Sequence, residues 1–163
     1  MKFIGNKFRL LNFIVSVFKD NNITCGTLMD LFAGTSNVGK YFKQKGFRII
    51  STDIMAFSYA FQRAFIKVSE YPKFENLNEI KFKSTSDKLT AVIEFLNNLN
   101  GEKGFIFQNY CEGGTKNLEY RRRFFSDSNA LKIDAIRNKI QGWKDSKKIT
   151  EDEFYVLLAE LID

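Results

Sequence analysis

The sequence predicts an α/β fold, on three observations. Residues 27–69 alternate strand, helix, strand and helix, the order from which parallel sheets are built. The first of these strands, TLMDLF, runs straight into a glycine-containing turn, AGTSNVG. The second, FRIISTDI, is rich in the residue types that favour extended chain.

Each element has its own justification. Residues 5–20 place Phe8, Leu11, Ile14, Val15 and Phe18 on one helical face, and Asn21-Asn22 ends the segment. Residues 27–32 form the first strand. Residues 38–45 form a helix that Gly46 stops. The second strand covers 47–54. The helix over 56–69 carries Phe57, Ala60, Phe61, Ala64 and Phe65 as its apolar stripe. After Pro72 the alternation is lost. Residues 86–98 are expected to be helical, 104–109 (GFIFQN) a short strand, and 112–119 (EGGTKNLE) a polar loop with paired glycines. Residues 127–143 form a long helix with Leu131, Ile133, Ile136 and Ile140 apolar. The last helix opens with a capping box, in which Thr150 accepts from the first turn and Glu153 reaches back. It then runs EFYVLLAELID to Asp163 with no C-cap glycine, so the chain is expected to be a fragment. Residues 1–70 thus make an α/β part, and residues 71–163 a mainly helical extension.

Composition narrows the chemistry. With 44% hydrophobic and 27% charged residues the chain has the make-up of a globular protein, and 163 residues suffice for a real core. There is no His, and the two Cys, Cys25 and Cys111, lie far apart. Zinc sites and His-based catalysis are therefore excluded within this chain, and no metal is expected. A cytoplasmic location is the default for such cysteine usage. No apolar run reaches the roughly 18 residues that a membrane span needs. The net charge of +6 permits a polyanionic partner, although an AT-rich coding sequence would also raise the Lys count.

The chemistry concentrates in three motifs. In DLFAGTSNVG, Asp30 ends a strand and the chain turns at the carboxyl edge of a parallel sheet, where nucleotide-like ligands sit. Gly34, without a Cβ, allows backbone to approach a ligand, and the following helix start offers free N–H groups. An ordinary α/β turn is the plain alternative. In STDIM, Asp53 stands at the tip of the second strand, where a carboxylate can accept from both hydroxyls of a ribose. Dinucleotide dehydrogenases share that geometry but carry G-x-G-x-x-G; here Thr35, Ser36 and Asn37 interrupt the glycines, and Asp30 precedes the turn. Both departures favour S-adenosylmethionine over NAD. The third motif, FIGNK, opens the first helix with Phe3 and Lys7; a core ring and a solvated helix charge are the alternatives for these two.

FIGNK, DLFAGTSNVG and STDI, in that order, resemble the Dam-like, alpha-group DNA adenine methyltransferases. NYCEGG (109–114), RRRFFSDSNALKIDAIRNKI (121–140) and the final helix resemble the stretch that follows the cofactor half there, so the likeness covers nearly the whole chain. The resemblance implies a partial Rossmann-like S-adenosylmethionine-dependent methyltransferase core, with the helical extension leading into the DNA-recognition region. It implies that Phe3 and Lys7 contact the cofactor, that Asp30, Phe32 and Gly34 form its loop, that Asp53 binds its ribose, and that Ile54 lies beside its adenine. The implied activity is site-specific adenine-N6 methylation of double-stranded DNA in restriction–modification.

One departure is chemical. The family's D/N-P-P-Y/F motif accepts hydrogens from the adenine amino group and stacks on the flipped-out base. This chain has a single proline, Pro72, so a Pro-Pro pair is impossible, and Asn109-Tyr110 is followed by Cys111 and Glu112. No catalytic residue is therefore assigned, and the chain is expected to be inactive alone, with a second polypeptide as a candidate carrier of the motif. A non-catalytic DNA-binding or regulatory remnant is the alternative. Arg121, Arg122 and Arg123 form the densest basic cluster, either a phosphate-binding site or a solvated face.

Overall fold

A computed structural model describes residues 7–82 and 88–163. These are mainly helical, with one two-stranded parallel sheet. The chain divides into two compact units, Met1–Tyr71 with Ile162–Asp163, and Pro72–Leu161.

In the first unit a 3₁₀ turn, Lys7–Leu10, leads into α1 (Leu11–Asp20). Then come β1 (Thr27–Asp30), α2 (Asn37–Gln44), β2 (Arg48–Ser51) and α3 (Ala56–Phe61), which continues as a π-turn over Gln62–Lys67. β1 and β2 pair in parallel, with Leu28 opposite Ile49 and Met29 opposite Ile50. Alternation along a strand sends these two pairs to opposite faces. Leu28 and Ile49 pack with Leu11, Ile14, Val15 and Phe18 of α1 around the buried Val38, Phe42 and Phe47. Phe42 anchors this cluster, with its ring 4.5 Å from Phe18 and 5.2 Å from Phe47 between centroids. α2 lies close because Gly39 lacks a side chain: a Cβ there would come within 2.9 Å of Ile66 and 3.2 Å of Ile49. Met29 and Ile50, on the other face, are exposed. Phe8, expected on the buried stripe of the first helix, is exposed as well. It lies in the 3₁₀ turn, whose three-residue period is out of phase with the α-helix that follows.

The second unit contains α4 (Lys88–Asn97), α5 (Phe105–Tyr110), α6 (Glu112–Thr115), α7 (Asp127–Asp145) and α8 (Glu151–Ile162). Its core joins Phe74 and Leu77 to Val92, Leu96, Ile136, Ile140, Trp143 and Leu157. Its polar groups are closely partnered. The capping box forms as the sequence predicts: Thr150 N–H donates to Glu153 Oε2 at 2.8 Å, and Glu153 N–H donates to Thr150 Oγ1 at 3.2 Å. The other oxygen of Glu153 accepts from the Phe74 amide. Glu79 accepts from Trp143 Nε1 at 2.7 Å, Lys139 at 2.6 Å and Lys148 at 3.0 Å. Burial pushes the Glu79 carboxyl up, but the hydrogen bonds from Lys139, Lys148 and Trp143 outweigh it and hold the group at about 2.

Two expectations in this unit are corrected. GFIFQN is the helix α5, not a strand. Its aromatic and β-branched content favours extended chain, but Asp134, buried on α7, accepts from the amides of Gly104, Ile106 and Phe107 at 3.0, 2.9 and 2.7 Å. A carboxylate that satisfies the first free amides of a helix stabilises the helical form. EGGTKNLE is not a loop throughout, because its first four residues are the short helix α6. A side chain on Gly113 would overlap the Asp127 carboxylate, and one on Gly114 would overlap the Phe107 carbonyl. The paired glycines serve close packing here.

Candidate functional site

β1 delivers Asp30 to its carboxyl end, where the side chain is buried. Lys7 Nζ donates to Asp30 Oδ1 at 2.9 Å and also to the carbonyl of Phe32. Lys7 is therefore a tether on the turn after β1 rather than a solvated helix charge. Asp30 Oδ2 is buried and has no hydrogen-bond partner among the described residues.

The turn itself is shaped by two left-handed residues, Gly34 at φ +54° and Ser36 at φ +60°. That conformation suits glycine and is strained for serine. Ser36 is fully buried, and its hydroxyl, like Asp30 Oδ2, has no partner among the described residues. Buried polar atoms without partners are uncommon in folded proteins. Two of them within residues 30–36 mark this turn as a place that can receive a polar ligand. Sequence reasoning did not single out Ser36; its only signal was that it interrupts the glycine pattern.

Asp53, just beyond β2, ties the two strand tips together. Its Oδ2 accepts from the Gly34 amide at 2.8 Å and its Oδ1 from the Met55 amide at 2.9 Å. The amides of Met55 and Gly34 hold the carboxyl below the usual carboxylate range. It is thus an ionised acceptor, and each oxygen keeps lone-pair capacity for a further donor. Beside it, Ile54 is 98% exposed, and Phe32, in the turn after β1, is 77% exposed. Hydrogen bonds thus join Lys7 to Asp30 and Phe32, and separately Gly34 to Asp53, with Ile54 next to Asp53 in sequence. Phe3 lies outside the described residues.

The basic cluster belongs to the second unit. Arg121 and Arg123 both donate to Glu112 Oε1, at 3.1 and 2.9 Å, and Arg122 donates to the Asn109 carbonyl at 3.1 Å. Arg123 and then Arg121 lower the Glu112 carboxyl below its ordinary range. The role of Glu112 was not legible, because nothing local pairs it with residues nine and eleven positions on. A groove of about 740 Å³ beside the cluster is lined by Lys116, Arg123, Phe124, Ser126 and Ser128 among others. Asn109, set aside in the sequence as a catalytic residue, donates from its side chain to the Phe105 carbonyl at 2.9 Å within α5. No group of three or more potential metal-binding side chains occurs among the described residues, and no helix there is long and apolar enough to cross a membrane.

Two βα turns, cross-linked by an ionised carboxylate, lie at the carboxyl ends of paired parallel strands, the edge of a parallel sheet at which α/β proteins in general bind their ligands. The family is narrower than that general class. Residues 3–163 match the D12 class N6 adenine-specific DNA methyltransferases, and the chain belongs to this family. It is 33% identical over 166 residues to the type II methyltransferase M.NlaIII of Neisseria lactamica, covering all of this chain and 44% of that protein. It is 36% identical over 163 residues to the modification methylase LlaI of Lactococcus lactis subsp. lactis, covering all of this chain and 24% of that one. With the type II methyltransferase M.FokI of Planomicrobium okeanokoites the identity is 35% over 167 residues, again all of this chain and 24% of the relative. The chain thus spans less than half the length of these curated relatives. No solved structure matches it.

Proposed function

We propose that this chain is the cofactor-binding part of a site-specific DNA adenine-N6 methyltransferase of the Dam-like alpha group. Its donor is S-adenosylmethionine, its substrate double-stranded DNA, and its setting restriction–modification. Residues 1–70 form the cofactor side of a Rossmann-like core, and residues 71–163 lead into DNA recognition. The observation that carries this reading is Asp53, an ionised acceptor that bridges the turns after β1 and β2.

The residues fit the donor. Asp53 keeps acceptor capacity for two ribose hydroxyls, and the exposed Ile54 offers an apolar face for an adenine ring. Asp30 Oδ2 and Ser36 Oγ, buried without partners among the described residues, suit the polar end of such a ligand. Lys7 holds Asp30 and the Phe32 carbonyl in place, Gly34 lets the backbone come close, and Phe3 precedes this set in the sequence. When bound, S-adenosylmethionine supplies an electrophilic methyl group. The arginines at 121–123 hold DNA phosphates. Activating the adenine amino group falls to a D/N-P-P-Y/F motif, which a chain with one proline cannot contain. We assign that motif to further polypeptide, either the rest of a longer protein or a second chain.

The single proline also supports a second reading, a non-catalytic DNA-binding or regulatory protein of the same family. Radiolabelled methyl transfer from S-adenosylmethionine to unmethylated duplex DNA separates the two. We expect no incorporation from the 163 residues alone and incorporation when a polypeptide carrying the motif is added. Transfer by the chain alone would overturn the division of labour, and none in either case would favour the regulatory reading.

A further inference from the structure

The three arginines sit in a segment, 116–125 (KNLEYRRRFF), that joins α6 to α7. Two of its rings stand in water: Tyr120 is 78% exposed and Phe124 73%. Large rings exposed next to several cations call for a partner with both anionic and flat apolar surfaces.

The segment is braced. Thr115 is fully buried; its hydroxyl donates to the Cys111 carbonyl at 2.7 Å and accepts from the Arg122 amide at 2.9 Å. The amides of Phe124 and Phe125 both donate to the Tyr110 carbonyl at 3.1 Å. The Phe124 ring meets Tyr110 edge-on at 5.8 Å between centroids, and Tyr110 meets Phe105, itself exposed, at 5.8 Å. The Phe124 ring is therefore held outward by hydrogen-bonded backbone and ring contacts on its inner side. Glu112 takes one N–H from each of Arg121 and Arg123, which leaves most of the five donors on each guanidinium for another partner.

We propose that Tyr120 and Phe124 form, with Arg121 and Arg123, one DNA-contacting ledge. The rings pack on deoxyribose faces of the duplex backbone, and the guanidiniums hold the flanking phosphates. The ledge rests on the reading of this chain as a DNA methyltransferase part and adds to it the aromatic component of the contact. Phosphate contacts alone need no exposed rings, whereas the duplex backbone presents phosphates and apolar deoxyribose faces side by side.

Salt dependence separates the two components. Binding of the full 163-residue chain to a labelled duplex oligonucleotide is measured across a salt series. Arg121→Ala with Arg123→Ala should flatten the slope of log K against log salt by roughly 2, because two phosphate contacts are lost. Tyr120→Ala with Phe124→Ala should lower affinity about five- to hundredfold at every salt concentration and leave the slope unchanged. Tyr120→Phe with Phe124→Tyr should restore it. Both rings are mostly exposed, so the thermal transitions of these variants should match that of the wild type, and a variant that melts early is replaced by Tyr120→Ser with Phe124→Ser. Unchanged affinity in the double alanine variant, with the arginine effect intact, would overturn the ledge and leave the DNA reading standing. No DNA binding by the wild type would overturn both. Binding to polyglutamate with the same dependence on the two rings would assign the surface to an acidic protein instead.

Discussion

The two units contrast in how fully their polar groups are partnered. In the second unit Asp134 accepts three backbone amides, Glu153 closes a capping box and accepts a third amide from Phe74, and Glu79 gathers Trp143, Lys139 and Lys148. In the first unit Asp30 Oδ2 and Ser36 Oγ are buried without partners among the described residues, and Met29, Ile50, Phe32 and Ile54 face water. A parallel pair with an apolar face exposed is unusual, because parallel sheets are ordinarily covered on both sides. The contrast separates a region whose polar groups stabilise the fold from one whose polar groups are left free for something else. Functional sites are where sequences break the rules that stabilise folds.

The sharpest way to break this comparison is at Asp134. Asp134→Ala leaves three amides at the start of α5 without an acceptor, each worth roughly 1–3 kcal/mol when buried, for a total of about 3–5 kcal/mol. The chain has one tryptophan, Trp143, buried in this unit, so its fluorescence reports the unfolding of this unit in urea. A loss below about 1 kcal/mol would show that α5 does not depend on the carboxylate.

Acid gives a somewhat smaller effect. The folded-state value of Glu79, about 2, lies below its ordinary 4.5. The stability it contributes is therefore fully present above 4.5 and is lost as pH falls from there toward 2. After a discount for its exposure, the group contributes about 1–2 kcal/mol. Trp143 fluorescence in urea at stepped pH should show this decline, and Glu79→Gln should flatten it. An equally steep decline in the variant would place the acid sensitivity elsewhere.

What the sequence made legible was local. The βα turns could be read because strand, glycine and strand-tip acid follow one another along the chain, and the capping box because Thr150 and Glu153 lie three residues apart. The second bond of Glu153, to Phe74, comes from a distant segment and left no pattern. GFIFQN was misread for the same reason: its own residues favour a strand, and the carboxylate that makes it a helix arrives from α7. The tether from Lys7 to Asp30 spans a helix and a strand, so Lys7 could be nominated only through the family resemblance. The clasp of Glu112 on Arg121 and Arg123 depends on how α6 and the following segment fold back, which composition does not encode.

The central claim is that the turn bridged by Asp53 holds S-adenosylmethionine, and calorimetry on the wild type and Asp53→Ala tests it most directly. Removing the acceptor for two ribose hydroxyls should weaken binding by roughly 1–3 kcal/mol, a loss of about five- to 150-fold. The urea transition reported by Trp143 in the other unit should not move. Equal affinity in wild type and variant would remove Asp53 from the site and contradict the account.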